Sequence, residues 1–153
     1  MARAASHKLR KGRFSAEGQA YMVTTILAGR EPVFGDWQLG RLLVAELRQA
    51  ESLGLADSLA WVVMPDHLHW LLVLRRAPLA RLVQRVKSRS ARTVNQARAM
   101  QGRLWQNGFH DKAIRREEDL QHLARYIITN PLRAGLVNRV GDYPLWDAVW
   151  LQQ

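Results

Sequence analysis

Ser58 to Leu74 reads SLAWVVMPDHLHWLLVL. Ser58–Met64 and His67–Leu74 are two strand-like runs, and Pro65-Asp66 between them is a pair that favours a turn. The spacing predicts an antiparallel hairpin. Side chains two apart in a strand share a face, so Leu68, Trp70, Leu72 and Leu74 form a face to bury, and His67, His69, Leu71 and Val73 form the other. Upstream, Tyr21 to Leu27 (YMVTTIL) is rich in β-branched and aromatic residues and reads as a strand ended by Gly29 and Pro32. Asp36 then stands where an N-cap belongs, and Leu39, Leu42, Leu43, Leu47, Ala50 and Leu53 follow at helical spacing until Gly54. Downstream, Leu79, Leu82, Val83, Val86, Val94 and Ala97 stripe a second helix. A fourth strand is expected in the second half of Leu104–Ile114. Glu117, Glu118 and Asp119 then favour a helix start, and Leu120, Leu123, Ala124 and Ile127 carry that helix to Pro131. The order β-α-β-β-α-β-α predicts an α+β ferredoxin-like sandwich, one four-stranded antiparallel sheet with helices packed on one face.

The 153 residues amount to one domain, with a basic N-terminal arm over about 1–13 and a short C-terminal tail over about 140–153. Apolar residues at 48% and charged ones at 24% rule out wholesale disorder. The chain has no cysteine, which excludes disulfides, thiolate metal sites and a thiol nucleophile. Its apolar runs are far shorter than a membrane span, and no apolar h-region follows the basic N-terminus, so a cytoplasmic protein is expected. The net charge is +10, and the bases are unevenly placed. Residues 1–13 hold five bases and no acid, and nine more lie between Asp66 and Asp111, again with no acid. That pattern points to a polyanionic partner, with nucleic acid ahead of an anionic membrane.

His67 and His69 emerge side by side on one strand face, about 6–7 Å apart along the chain, a spacing suited to two ligands of one divalent metal. The alternative is two polar residues on an open sheet face. On the last helix, His122, Tyr126 and Asn130 recur at intervals of four and can share one face beside the apolar stripe. The plainer alternative is that Tyr126 edges the core and Asn130 closes the helix, since the residue before a proline is pushed from the α region. Two imidazoles, an amide, a phenol and a basic surface fit a phosphodiester reaction. A tyrosine oxygen attacks phosphorus, a metal spreads the developing charge, and bases hold the strand. Two imidazoles and one amide leave positions open for phosphate and water on Mg²⁺ or Mn²⁺. Tyr126 is the natural nucleophile among the protein's side chains.

Met64-Pro65-Asp66-His67-Leu68-His69 resembles the histidine–hydrophobic–histidine box of the HUH single-tyrosine transposases, an IS200-like family. Tyr126-Ile127-Ile128-Thr129-Asn130-Pro131-Leu132-Arg133-Ala134-Gly135 resembles the tyrosine helix of their REP-associated tyrosine transposase branch, and Trp105 to Asp111 resembles the segment leading into it. Tyr21-Met22-Val23-Thr24-Thr25 is similar to the family's first strand. The likeness runs over roughly residues 10–137. It implies a transposase that cuts and rejoins single-stranded DNA at REP-type hairpins, leaving a 5′-phosphotyrosine and a free 3′-OH, with a divalent metal and no nucleotide cofactor. By position it implies His67, His69 and Asn130 as metal ligands and Tyr126 as nucleophile. A single tyrosine at this position separates the chain from two-tyrosine replication initiators, and the missing third histidine separates it from conjugative relaxases.

Arg10, Lys11 and Arg13 in the arm, and Arg81, Arg85, Lys87 and Arg89 in the second helix, are the expected DNA contacts; such contacts position a strand without reading it. Trp105 and Phe109 are candidates to stack bases, with a core position the favoured alternative for Trp105. His110 and His122 are candidates for supporting or proton-carrying roles near Tyr126. Two other classes compete: a non-catalytic or domesticated hairpin-binding module, and a metal-dependent hydrolase in which water attacks. The choice between a monomer and a homodimer with Tyr126 donated in trans stays open.

Overall fold

The computed structural model describes residues 17–76 and 78–151. Five strands and four α-helices follow in the order β1 (Ala20–Ile26), α1 (Trp37–Ser52), β2 (Ala56–Met64), β3 (His67–Leu74), α2 (Leu79–Ala97), β4 (His110–Ile114), α3 (Glu117–Ile128), α4 (Asn130–Arg133) and β5 (Trp146–Ala148). The sheet is antiparallel, with strand order β4-β1-β3-β2-β5. Its first four strands have the expected ferredoxin-like arrangement, and the expectation of four strands is corrected to five.

The fifth strand is a tertiary product. Trp146-Asp147-Ala148 is too short to carry an alternating signal, and it forms because β2 offers an open edge. The Val63 amide donates to the Leu145 carbonyl (2.9 Å), and the buried Tyr143 hydroxyl donates to the Val63 carbonyl (2.5 Å). Leu145 also sits over α1 at Gly40, where an added Cβ would come within 2.4 Å of the Leu145 methyl. The stretch expected to be a tail thus closes the β2 edge.

Local chemistry sets the other boundaries. The Asp36 side chain accepts from the Gln38 amide and caps α1, and Gly54 at φ +72 turns the chain out of it. The Pro65-Asp66 turn joins β2 to β3 in register, with Met64 opposite His67. Leu68, Trp70, Leu72 and Leu74 are at most 1% exposed. Two buried indoles are satisfied: Trp70 donates to Ser58 Oγ (2.9 Å) and Trp105 to Ser90 Oγ (3.0 Å). Trp105 is thus a core residue, as expected.

The helices do not share one face. α1 and α2 pack against each other over the Leu68–Leu74 face. α3 lies across the opposite face, where its Tyr126 ring meets His69. The apolar stripe of α3, with Ala124 and Ile127 buried, needs a surface, and the histidine face of β2 and β3 supplies it through Val62, Met64 and Leu71. That packing brings the tyrosine helix over the histidines. Among the described residues no helix is long and apolar enough to cross a membrane.

Candidate active site on the open end of the sheet

β3 presents His67 and His69 on one face as alternation requires, with ring centroids 4.7 Å apart and the rings nearly perpendicular. Each ring is held through its Nδ1. His67 Nδ1 donates to Asp66 Oδ1 (2.7 Å), and Arg30 donates to Asp66 Oδ2 (3.2 Å). His69 Nδ1 is 2.8 Å from Thr24 Oγ1, which faces it across the β1–β3 pair. With both Nδ1 atoms engaged, the Nε2 atoms are left as ligands, and such partners fix tautomer and ring orientation in metal sites. Burial first, then the charges of His67 and Arg133, push the His69 imidazole down to about 4, so it is neutral with its lone pair available at pH 7. Burial pushes the Asp66 carboxyl up, but hydrogen bonds and charges from His67 and Arg30 outweigh it and hold the group below its ordinary value.

Tyr126 projects from α3 with half of its surface exposed. Its ring centroid lies 6.3 Å from that of His69, in an edge-on arrangement. The helix breaks one turn later. Pro131 has no amide to give the Ile127 carbonyl, so α3 ends at Ile128 and α4 begins at Asn130 with proline in its first turn, where it is tolerated. The break falls at Thr129, whose φ −90° and ψ −1° remain right-handed, so Asn130 follows Tyr126 by a single turn. Among the described residues no three His, Cys, Asp or Glu side chains group as a metal site. The half-buried Asn130 amide, one turn after Tyr126, is the candidate neutral oxygen beside the histidine pair. Two imidazoles with free Nε2 atoms plus an amide suit a hard divalent ion that keeps sites for phosphate and water.

His110 opens β4 opposite Thr24, and Thr24 lies opposite His69, so the three occupy one row across the sheet on the same face. Two strand spacings put His110 about 10 Å from His69. His122 is exposed one turn before Tyr126 on α3.

The bases expected to hold DNA are divided. Arg10, Lys11 and Arg13 lie outside the described residues. On α2, Arg81 is exposed, but the other three are engaged within the protein. Arg85 reaches Gln49 on α1 (3.4 Å), and Arg89 pairs with the buried Glu46 (2.7 Å). Lys87 donates to the carbonyls of Gln106 and Gly108 (both 2.7 Å); burial and then Arg103 push its ammonium below the ordinary value. All four ride on the helix layer opposite the histidines. The arginine periodicity of α2 is in good part the bracing of α1 and of the loop before β4.

Sequence reasoning missed Thr24, Arg30 and Arg133. Thr24 emerges only once the β1–β3 register is known, and Arg30 only once its φ of +51° aims it at Asp66. Arg133 had a legible signal, its seven-residue spacing from Tyr126, two turns along a helix. Its guanidinium carbon lies 4.1 Å from the centre of the Tyr126 ring.

Residues 17–130 match the family model described as transposase, IS200-like. The chain is 31% identical over 87 residues to the REP-associated tyrosine transposase of Escherichia coli K12, covering 56% of this chain and 50% of that one. A Haemophilus influenzae relative is 30% identical over 99 residues, covering 58% and 56%. The chain thus spans about half the length of the curated relatives it matches. A solved structure of a REP-associated tyrosine transposase bound to a REP hairpin superposes with a TM-score of 0.69 at 25% identity, over 88% of this chain and 79% of that one.

Proposed function

The chain belongs to the IS200-like transposase family, and from that premise we propose that it cuts and rejoins single-stranded DNA at REP-type hairpins, with Tyr126 as the nucleophile. The observation that carries the reading is the convergence of Tyr126, from α3, on the β3 histidine pair, with ring centroids 6.3 and 4.7 Å apart. A helix serving only to cover the sheet has no need to hold a half-exposed phenol there.

In the cleavage step Tyr126 Oη bonds to phosphorus while the bond from phosphorus to the 3′ oxygen breaks. The phenol proton is released, and the departing 3′ oxygen gains a proton to become a free 3′-OH. The DNA remains on the protein as a 5′-phosphotyrosine. Joining is the reverse, with a 3′-OH attacking the phosphotyrosine and Tyr126 regaining its proton. His67 and His69 through Nε2, with the Asn130 amide oxygen, would hold Mg²⁺ or Mn²⁺, which when bound draws charge from the non-bridging phosphate oxygens. Asp66 and Thr24 keep the imidazoles oriented. His122, one turn before Tyr126 on α3, and His110, in the row of Thr24 and His69, are the candidates to exchange protons. Tyr126 stands beside His69 of its own chain, which supports cutting in cis by a monomer.

A REP-type hairpin that presents the scissile strand unpaired is the proposed partner, a reading supported by the structural neighbour that is bound to a REP hairpin. The exposed Arg81 and the N-terminal Arg10, Lys11 and Arg13 are proposed to hold its phosphates. The test is a labelled hairpin oligonucleotide incubated with protein and Mg²⁺ or Mn²⁺ and run under denaturing conditions. A slow band that survives denaturant, needs the metal and is absent for Tyr126→Phe is expected. DNA that shifts on a native gel yet is never cut would instead make this a hairpin-binding module.

A further inference from the structure

Tyr126 has little to hold it. Half of its surface is exposed, and its hydroxyl must stay open to substrate. An exposed aromatic side chain samples several staggered χ1 wells, and only one keeps the ring against His69. Arg133 answers that freedom. Its Nη2 donates to the Tyr126 carbonyl and its Nη1 to Thr129 Oγ1, while the Thr129 hydroxyl in turn donates to the Arg125 carbonyl (2.6 Å). These bonds tie the guanidinium to the exposed carbonyls at the end of α3, and its carbon rests 4.1 Å from the centre of the phenol ring. The ring is thereby gripped on its face by Arg133 and met at its edge by His69.

We propose that Arg133 is a positioning residue for Tyr126: tethered at the α3–α4 break, it stacks on the phenol and holds the oxygen in the orientation from which it attacks phosphorus. This rests on the reading of Tyr126 as the nucleophile. A planar guanidinium suits the role because it can donate in its plane and stack through its face at the same time, which an ammonium cannot.

The test separates orientation from DNA binding and from catalysis. The chain has three tyrosines, and Tyr21 and Tyr143 are buried, so ¹³C-tyrosine labelling gives three ring signals, with that of Tyr126 identified by Tyr126→Phe. In Arg133→Gln the Tyr126 signal should move to the position of a free, solvent-exposed tyrosine while the other two stay. Single-turnover cleavage should fall roughly 10- to 100-fold, the usual effect of misplacing a reacting group by about 1 Å, at unchanged hairpin affinity. Arg133→Lys should restore little of either, and Thr129→Val should shift both in the same direction by less. An unmoved Tyr126 signal in folded Arg133→Gln or Arg133→Lys would overturn the proposal. So would weaker hairpin binding at an unchanged cleavage rate, which would make Arg133 a phosphate contact. A wild-type protein that never cuts would refute the nucleophile reading, whereas the ring signal reports on the Arg133 grip independently.

Discussion

Thr24 and Thr25 are neighbours on β1 whose side chains point to opposite faces, and they should respond to the same substitution in opposite ways. Thr24 Oγ1 meets His69 Nδ1 at 2.8 Å on the site face. Thr25 is 2% exposed on the core face, and its hydroxyl has no hydrogen-bond partner. Valine matches threonine closely in shape and favours strands, so neither change should disturb β1. In Thr24→Val the His69 ring loses the contact that fixes its tautomer and direction. Loss of such an outer partner typically weakens metal binding about 10- to 100-fold, or about 1.4–2.7 kcal/mol. In Thr25→Val a buried, unpaired hydroxyl becomes a methyl. The hydroxyl's desolvation cost is about 1–3 kcal/mol, and recovering it should raise Tm by about 2–4 °C per kcal/mol in a chain of this size. Titration calorimetry with Mn²⁺ and thermal unfolding of both variants give the two numbers. Equal Mn²⁺ affinity for Thr24→Val and wild type would refute the assignment of Thr24 as the partner that orients His69. A Thr25→Val protein less stable than wild type would refute the reading of that hydroxyl as unpaired.

Four further outcomes follow from the packing. Asp66→Asn keeps the shape of the β2–β3 turn but weakens the acceptor for His67 and Arg30, so Mn²⁺ affinity should fall about 10-fold or more with little change in Tm; unchanged affinity would remove Asp66 from the site. Arg89→Leu leaves Glu46 buried without its partner and should cost about 1–3 kcal/mol in denaturant titrations, a discounted value because Arg89 itself is partly exposed. Arg81→Gln should leave stability alone and lower the salt dependence of hairpin binding by about one phosphate contact. Tyr143 is buried, and burial pushes its phenol up to about 12, while the unfolded chain titrates near 10. Its contribution is therefore complete below pH 10 and is lost as pH rises toward 12, and Tyr143→Phe, about 1–2 kcal/mol less stable at neutral pH, should lack that alkaline loss in a pH series of unfolding curves.

The elements that follow a period were legible from the chain alone. The alternation from His67 to Leu74, the Asp36 cap, the α2 stripe and the acidic start of α3 all encode local geometry, and the structure places those elements within a residue or two of expectation. What was not legible depends on pairing. β5 is three residues long and exists because β2 has an edge to fill. The second layer of helix, α3 on the histidine face, follows from a crossover that no residue pattern states. The Thr24–His69 contact needs the β1–β3 register, and the Arg133 tether needs the α3–α4 break. The α2 bases are hard to read for a related reason. A row of bases looks the same in sequence whether it faces solvent or pairs with a buried acid on the next helix, as Arg89 does with Glu46.

The most direct test of the central claim is to locate the DNA on the protein. Wild-type protein incubated with a REP-type hairpin and Mg²⁺ or Mn²⁺ would be treated with nuclease and trypsin, and the peptides sequenced by mass spectrometry. The account predicts a phosphonucleotide on Tyr126, within the tryptic peptide that runs from Tyr126 to Arg133. Cleaved DNA with every tyrosine unmodified, or an adduct at Tyr21 or Tyr143, would contradict it.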